Sequence, residues 1–228
     1  MGIIEMTLTR RLFLVSSALV ATLMTRTVMA QSLPAAIQGH GTVSLSDALA
    51  KRESIRSYSA DAVEDAQLLA LLWAANGVNR PDVDGRTAPS WRTSKDTEIY
   101  VARASGVTHF DAVENRLTAV SDADIRGVLS PQPFVARAPL VLIYVSELSR
   151  LLEAVGLDAA AFDAVTEDHR ISAHVNAAVI SQNVYLFCAA DGLGTCLVGG
   201  VDRAATATAL QLGAGRLVTY VQPVGHPA

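Results

Sequence analysis

The pattern of apolar and polar positions changes several times along the chain and predicts an ordered series of helices and strands. Apolar residues at helical spacing predict a helix over residues 44–52 and a second one that starts near Glu64 and ends near Asn76. Alternating positions predict a strand over 97–103 and a hairpin over 106–120 that turns at Glu114 and Asn115. The continuous apolar run 140–146 predicts a central strand that is buried on both faces.

The second half of the chain is predicted to be mainly helical. Residues 149–170 have a helical pattern with a break near Gly156, and residues 171–192 are apolar on nearly all sides, which predicts a buried helix with Gly192 as its cap. Residues 130–139 are expected to form a loop. A strand-like run over 193–202, a short helix and a last strand from residue 215 follow. This mixture favours an α+β fold over a doubly wound sheet.

The first thirty residues have the pattern of an export signal. Arg10 and Arg11 precede a modest apolar run over 12–24, and residues 28–30, Val-Met-Ala, fit a signal-peptidase site that would leave Gln31 as the new N-terminus. Residues 9–14 resemble a twin-arginine signal, and the alternative is a Sec signal with two basic residues by chance. We therefore expect a periplasmic or secreted protein without a stable membrane anchor, in which residues 31–228 form one domain.

Composition removes several classes of function. The 228-residue chain is 50% hydrophobic and carries a formal charge of −4, so it has no basic field to hold nucleic acid. Cys188 and Cys196 are the two cysteines, and their apolar surroundings favour buried free thiols over a disulfide. The five histidines are scattered, so a metal site is not expected.

The stretch Lys51–Tyr58, KRESIRSY, carries candidate binding chemistry. On an extended segment Arg52, Ser54 and Arg56 would line one side, because successive side chains alternate. Two guanidiniums around a hydroxyl suit a phosphate or another anion. The alternative is that these cations only complement the C-terminal end of the preceding helix.

Five stretches of the chain resemble the nitroreductase family of flavin mononucleotide (FMN) enzymes. They are RESIRSY, TAPSW followed by EIYVA, QPFVARAPLVLIYV, ISQNVYLFCAADGLGTCLVGGVD and VGHP, and they occur in the order found in the family. The branch they resemble is that of the SagB-type, azoline-oxidising dehydrogenases. The resemblance implies a helix-flanked mixed or antiparallel sheet and a homodimer with FMN at the interface.

The resemblance also implies that a first set of residues binds the flavin. Arg52, Ser54 and Arg56 match the element that holds the flavin phosphate and one edge of the ring. Pro89 and Ser90 match the loop that reaches the flavin across the dimer interface. The stretch Lys51–Tyr58 therefore becomes a predicted cofactor site.

A second set of residues is implied to lie beside the flavin ring. Gln132 stands where the family places an amide against the pyrimidine edge. Leu197, Gly199 and Gly200 match the stretch whose backbone faces the ring, where small residues permit close approach. The alternatives are a solvated loop amide for Gln132 and a bulge or tight bend for the glycine pair.

The sequence also departs from the family pattern. Glu53 replaces a basic residue or histidine, and Thr93 and Lys95 replace the Asn and Gln that relatives often carry. Trp91 either narrows the substrate space or packs within its loop. The chain ends at Ala228, where many relatives continue with a basic residue that binds phosphate.

The function implied is that of an FMN-dependent oxidoreductase that transfers hydride between a donor and a small organic acceptor, with no catalytic side chain required. The electron donor and the direction of the reaction stay open, since nicotinamide nucleotides are scarce outside the cytoplasm. The alternative, motivated by Thr93, Lys95 and the chain end, is a non-catalytic flavin or small-molecule binding protein.

Overall fold

The computed structural model describes residues 37–228, and the predicted export signal at 1–30 lies outside this range. The helices are α1 (Leu45–Lys51), α2 (Asp65–Asn76), α3 (Pro133–Arg137), α4 (Leu148–Glu153), α5 (Glu167–Asp191) and α6 (Arg203–Ala209). The strands are β1 (Val78–Arg80), β2 (Gly85–Arg86), β3 (Thr97–Arg103), β4 (Gly106–Asp111), β5 (Arg116–Ser121), β6 (Leu140–Glu147), β7 (Gly194–Thr195) and β8 (Arg216–Gly225). Within the described range, no helix combines the length and apolarity needed to cross a membrane.

Six strands form the main sheet in the order β5-β4-β3-β6-β8-β7, and every neighbouring pair is antiparallel. The strands β1 and β2 form a separate small hairpin. The α+β prediction, with helices flanking an antiparallel sheet, is confirmed.

The predicted central strand β6 connects the two halves of the core. Leu140, Leu142 and Tyr144 belong to the core on the side of α2 and α5. Val141 and Ile143 belong to the opposite core, under α3 and α6. Because successive side chains alternate across a strand, a continuous apolar run can supply both layers.

Local chemistry explains why the hairpin strands and the first helix form where predicted. The Ser44 Oγ accepts a hydrogen bond from the Asp47 N–H at 3.1 Å and so caps α1. The turn between β3 and β4 needs Gly106, whose φ is 127° and where a Cβ would lie 2.3 Å from the Ser121 carbonyl oxygen. The β4–β5 turn contains Asn115 in the left-handed conformation, as the pattern predicts.

Two segments differ from the sequence prediction. Residues 133–137 form helix α3 instead of a loop, because Pro133 stands at the first helical turn, where its missing N–H costs nothing. The predicted helical stretch 149–170 contains only α4, a short 3-10 turn at Phe162–Ala164 and the start of α5.

Two further predictions were too broad. The strand-like run 193–202 pairs only through β7 and one bridge between Val198 and Val221. Helix α5 is not buried on all sides, since Ile171 and Val175 are 52% and 53% exposed. Cys188 and Cys196 are free and buried, as predicted, and burial raises the pKa of the Cys188 thiol.

Candidate functional site

The chain from Arg52 onward is extended and lies against the end of α5. Arg52 caps α1, and the Ile55 N–H donates to the Thr195 carbonyl of β7 at 2.9 Å. Tyr58 forms an isolated bridge with Pro227. The predicted anion-binding segment is therefore held in place by hydrogen bonds to the C-terminal part of the sheet.

A single side chain, Tyr185 of α5, brings three of the predicted residues together. Its hydroxyl is hydrogen-bonded to the Ser54 Oγ at 3.0 Å and accepts a hydrogen bond from the Leu197 N–H at 2.8 Å. The Arg52 guanidinium lies over the Tyr185 ring, 5.5 Å from its centre. Sequence reasoning did not single out Tyr185, although it lies within the quoted ISQNVYLF stretch.

The two arginines of the motif keep their charges available. Arg56 is exposed and donates through Nη1 to the backbone oxygen of Ser54 at 3.4 Å. Within residues 37–228, neither Arg52 nor Arg56 pairs with a carboxylate, and Glu53 is exposed beside them. Two unneutralised guanidiniums next to a hydroxyl fit the phosphate group of FMN.

Gln132 and Gly200 form a second cluster. The Ser130 Oγ donates to the Gly200 carbonyl at 2.6 Å and accepts from the Gln132 N–H at 3.3 Å. A Cβ at Gly200 would lie 3.1 Å from the Gln132 amide nitrogen, so the glycine leaves room for that amide. The Val201 N–H donates to the Gly199 carbonyl at 2.9 Å, which closes a tight bend, while both glycines stay exposed.

Pro89 and Ser90 lie elsewhere in the same chain. The Ser90 Oγ accepts from the Lys95 N–H at 2.9 Å, and the Trp91 N–H donates to the Asn176 Oδ1 at 2.8 Å. Asn176 precedes Tyr185 by nine residues on α5, which corresponds to roughly 13 Å along the helix axis. One chain therefore does not bring the Pro89–Ser90 pair to the Tyr185 cluster.

The departures from the family pattern have structural roles here. The Lys95 Nζ pairs with the Asp84 Oδ2 at 2.8 Å, and this hydrogen bond holds the pKa of Asp84 below its usual value. Trp91 packs in the small core around Leu148 and contacts the His169 ring edge to face, with ring centres 5.7 Å apart. The loop-packing interpretation of Trp91 is the one these contacts support.

The exposed side of α5 borders an apolar hollow of about 400 Å³. His174 stacks edge to face on Tyr220 there, with ring centres 5.0 Å apart, and Ile171 and Val175 form the rim. Burial lowers the pKa of His174, and the nearby charge of Arg203 lowers it further.

Comparisons with known proteins agree with these features. The sequence model of the nitroreductase family matches residues 49–226. A protein of Methanocaldococcus jannaschii named as a nitroreductase is 29% identical over 168 residues, which cover 69% of this chain and 79% of that protein. A crystal structure of a protein from Ralstonia eutropha, described as a nitroreductase, is 31% identical, with a TM-score of 0.74 over 82% of this chain and 84% of its own.

A more distant structure shares the fold. The NADPH:FMN oxidoreductase of Vibrio harveyi, complexed with NAD+, is 19% identical, with a TM-score of 0.59 over 80% of this chain and 67% of its own. The family match covers most of the chain and confirms the resemblance found in the sequence. This protein belongs to the nitroreductase family of oxidoreductases.

Proposed function

We propose that this protein is an FMN-dependent oxidoreductase that works as a homodimer on a small organic substrate. The observation that carries the proposal is the Tyr185 cluster, which joins Ser54, Leu197 and Arg52 through contacts of 3.0, 2.8 and 5.5 Å. These are residues for which the family pattern implies a flavin role. The NADPH:FMN oxidoreductase of Vibrio harveyi, which shares the fold, adds support at that level.

In this proposal the phosphate of FMN is bound by the Arg52 and Arg56 guanidiniums and the Ser54 hydroxyl. Gln132 offers an amide to the polar edge of the ring, and the exposed backbone at 199–200 leaves the space that a flat ring needs. Bound FMN would supply the hydride chemistry. The residues of the chain bind and orient it, so no side chain has to act as a nucleophile.

The division of the predicted site along α5 supports the homodimer. Tyr185 of the cluster and Asn176, which accepts from the loop after the Pro89–Ser90 pair, are nine residues apart on this helix, roughly 13 Å along its axis. A two-fold axis that crosses α5 between them would place each pair next to the cluster of the partner subunit. The exposed apolar residues Ile171 and Val175 lie on α5 and would be covered by that contact.

Export by the twin-arginine pathway forms part of the proposal and rests on residues 9–14 and 28–30. Because that pathway carries folded proteins, FMN would be bound before export. Fusing residues 1–36 to a reporter that folds before export tests this point. Transport of the folded reporter should be lost when Arg10 and Arg11 are replaced by lysine. A signal that exports only a reporter that stays unfolded would argue for the Sec alternative.

The test of the main proposal is the visible spectrum of the purified protein, followed by turnover. We expect a yellow protein, or one that becomes yellow with added FMN, whose flavin is reduced and reoxidised with nitroaromatics or quinones. A protein that stays colourless with FMN contradicts the proposal.

The second candidate is a flavin-binding protein without catalysis. This candidate is favoured by the ion pair between Lys95 and Asp84, because a Lys95 side chain in that pair does not offer a polar contact to the flavin ring. Bound flavin that is never reoxidised by any acceptor would support this candidate over the first.

A further inference from the structure

The loop that follows Ser90 has an unusual backbone. Arg92, Thr93 and Lys95 have φ values of 47°, 60° and 49°, in the left-handed region that favours glycine. Each such residue costs roughly 1–3 kcal/mol and persists only where its surroundings impose it. Half of the six non-glycine residues with positive φ in the described part of the chain lie in this loop.

Hydrogen bonds to neighbouring residues hold the loop in this form. Ser90 accepts the Thr93 N–H at its carbonyl and the Lys95 N–H at its Oγ, at 3.0 and 2.9 Å. Asn176, which is 3% exposed, accepts the Trp91 N–H and donates to the buried Asp96 carboxylate at 2.6 Å. These hydrogen bonds hold the backbone of the loop in the left-handed conformations described above.

The side chain of Arg92 projects from this loop with its charge unused. Arg92 is exposed, and its guanidinium stacks over the Trp91 ring, 5.3 Å from the ring centre. Among residues 37–228 it has no ion pair and no hydrogen-bond acceptor. The stacking restricts the rotamers of Arg92, so less entropy is lost when an anion binds.

We propose that Arg92 selects substrates that carry an anionic group, a carboxylate or a sulfonate on a flat aromatic or quinonoid ring. The proposal rests on the proposed function, because it needs Pro89 and Ser90 to reach the flavin of the partner subunit. Arg92 follows Ser90 by two residues. In such a dimer the Arg92 guanidinium would lie beside the flavin, where it would meet an anionic substituent on a substrate ring that is stacked there.

The test compares two ligands of nearly equal shape, 4-nitrobenzoate and 4-nitrobenzamide. Their dissociation constants for the FMN-loaded protein are measured from changes in the flavin absorbance. Arg92→Gly removes the charge and suits the left-handed backbone, so this variant should melt no lower than the wild type. Arg92→Lys keeps the charge but loses the planar fork. Arg116→Ala, on the exposed strand β5, is the matched control.

We expect Arg92→Gly to weaken nitrobenzoate binding about tenfold and to change nitrobenzamide binding less than twofold, with Arg92→Lys in between. Arg116→Ala should change neither. Equal effects on both ligands would overturn the assignment of Arg92, and so would a wild type that binds the two ligands equally well. In either case, the presence of bound FMN would leave the proposed function standing. Failure of the wild type to take up FMN is seen directly in the spectrum and overturns both proposals.

Discussion

Replacing Tyr185 by phenylalanine should weaken FMN binding without changing the fold. The change removes one hydroxyl, which leaves the Leu197 N–H without its acceptor and the Ser54 Oγ without its partner. The ring stays, so the contact with the Arg52 guanidinium is retained. A hydrogen bond contributes about 1 kcal/mol net, so two of them correspond to about 1–2 kcal/mol, or about 5–30-fold in affinity.

The loss should appear in FMN affinity because these bonds align the Ser54 hydroxyl and the Leu197 backbone before the ligand arrives. The assay is a titration of FMN fluorescence, with thermal melting as the check on folding. Tyr100→Phe is the matched control, since its hydroxyl contacts Glu98 on β3, outside the Tyr185 cluster. Unchanged FMN affinity in Tyr185→Phe, or an equal loss in Tyr100→Phe, would refute the reasoning.

Three further predictions test the binding site, the dimer and the pH dependence. In the same titration, Arg56→Ala should weaken FMN binding by about 1.5 kcal/mol. This is the lower end of the range for a charge-assisted hydrogen bond, and it applies because Arg56 is exposed to solvent. Val175→Lys should give a monomer by light scattering, whereas Leu157→Lys, at a site of 43% exposure, should leave the mass unchanged. Burial alone would raise the pKa of Asp191, but three hydrogen bonds, one of them from His40, hold it below its usual value. The stability this carboxylate contributes is present above the unfolded pKa of about 3.9 and is lost as the pH falls through the lower folded value. The melting-temperature gap between wild type and Asp191→Asn should therefore shrink as the pH is lowered, and a gap that widens would contradict this.

The sequence predicted well where local chemistry decides the structure. The run 140–146 could only be a buried strand, and the Ser44 cap and the turn at Asn115 depend on neighbours a few residues away. Helix α3 was missed in the predicted loop 130–139, which contains three prolines, because one of them, Pro133, stands at the first turn of the helix. The exposure of Ile171 and Val175 could not be predicted, since an apolar pattern does not distinguish a buried helix face from an exposed one.

In the candidate site, too, local features could be predicted from the sequence and long-range contacts could not. Arg52 and Ser54 both contact Tyr185, as the alternation along an extended segment predicts, and a shared side for Arg56 stays a prediction. The role of Tyr185 was not readable, because its partner Ser54 is 131 positions away and only the fold brings them together. The resemblance to the family implied which residues belong to the flavin site, and the contacts among them come from tertiary structure.

The most direct test of the central claim compares the binding of FMN with that of riboflavin, which lacks the phosphate. If Arg52, Ser54 and Arg56 hold the phosphate, FMN should bind about 100-fold more tightly, from two charge-assisted contacts of about 1.5 kcal/mol each. In the double variant Arg52→Ala/Arg56→Ala the preference for FMN should fall to about fivefold, which the remaining Ser54 hydroxyl would contribute. Riboflavin that binds the wild type as tightly as FMN would contradict the claim that this segment is a phosphate site.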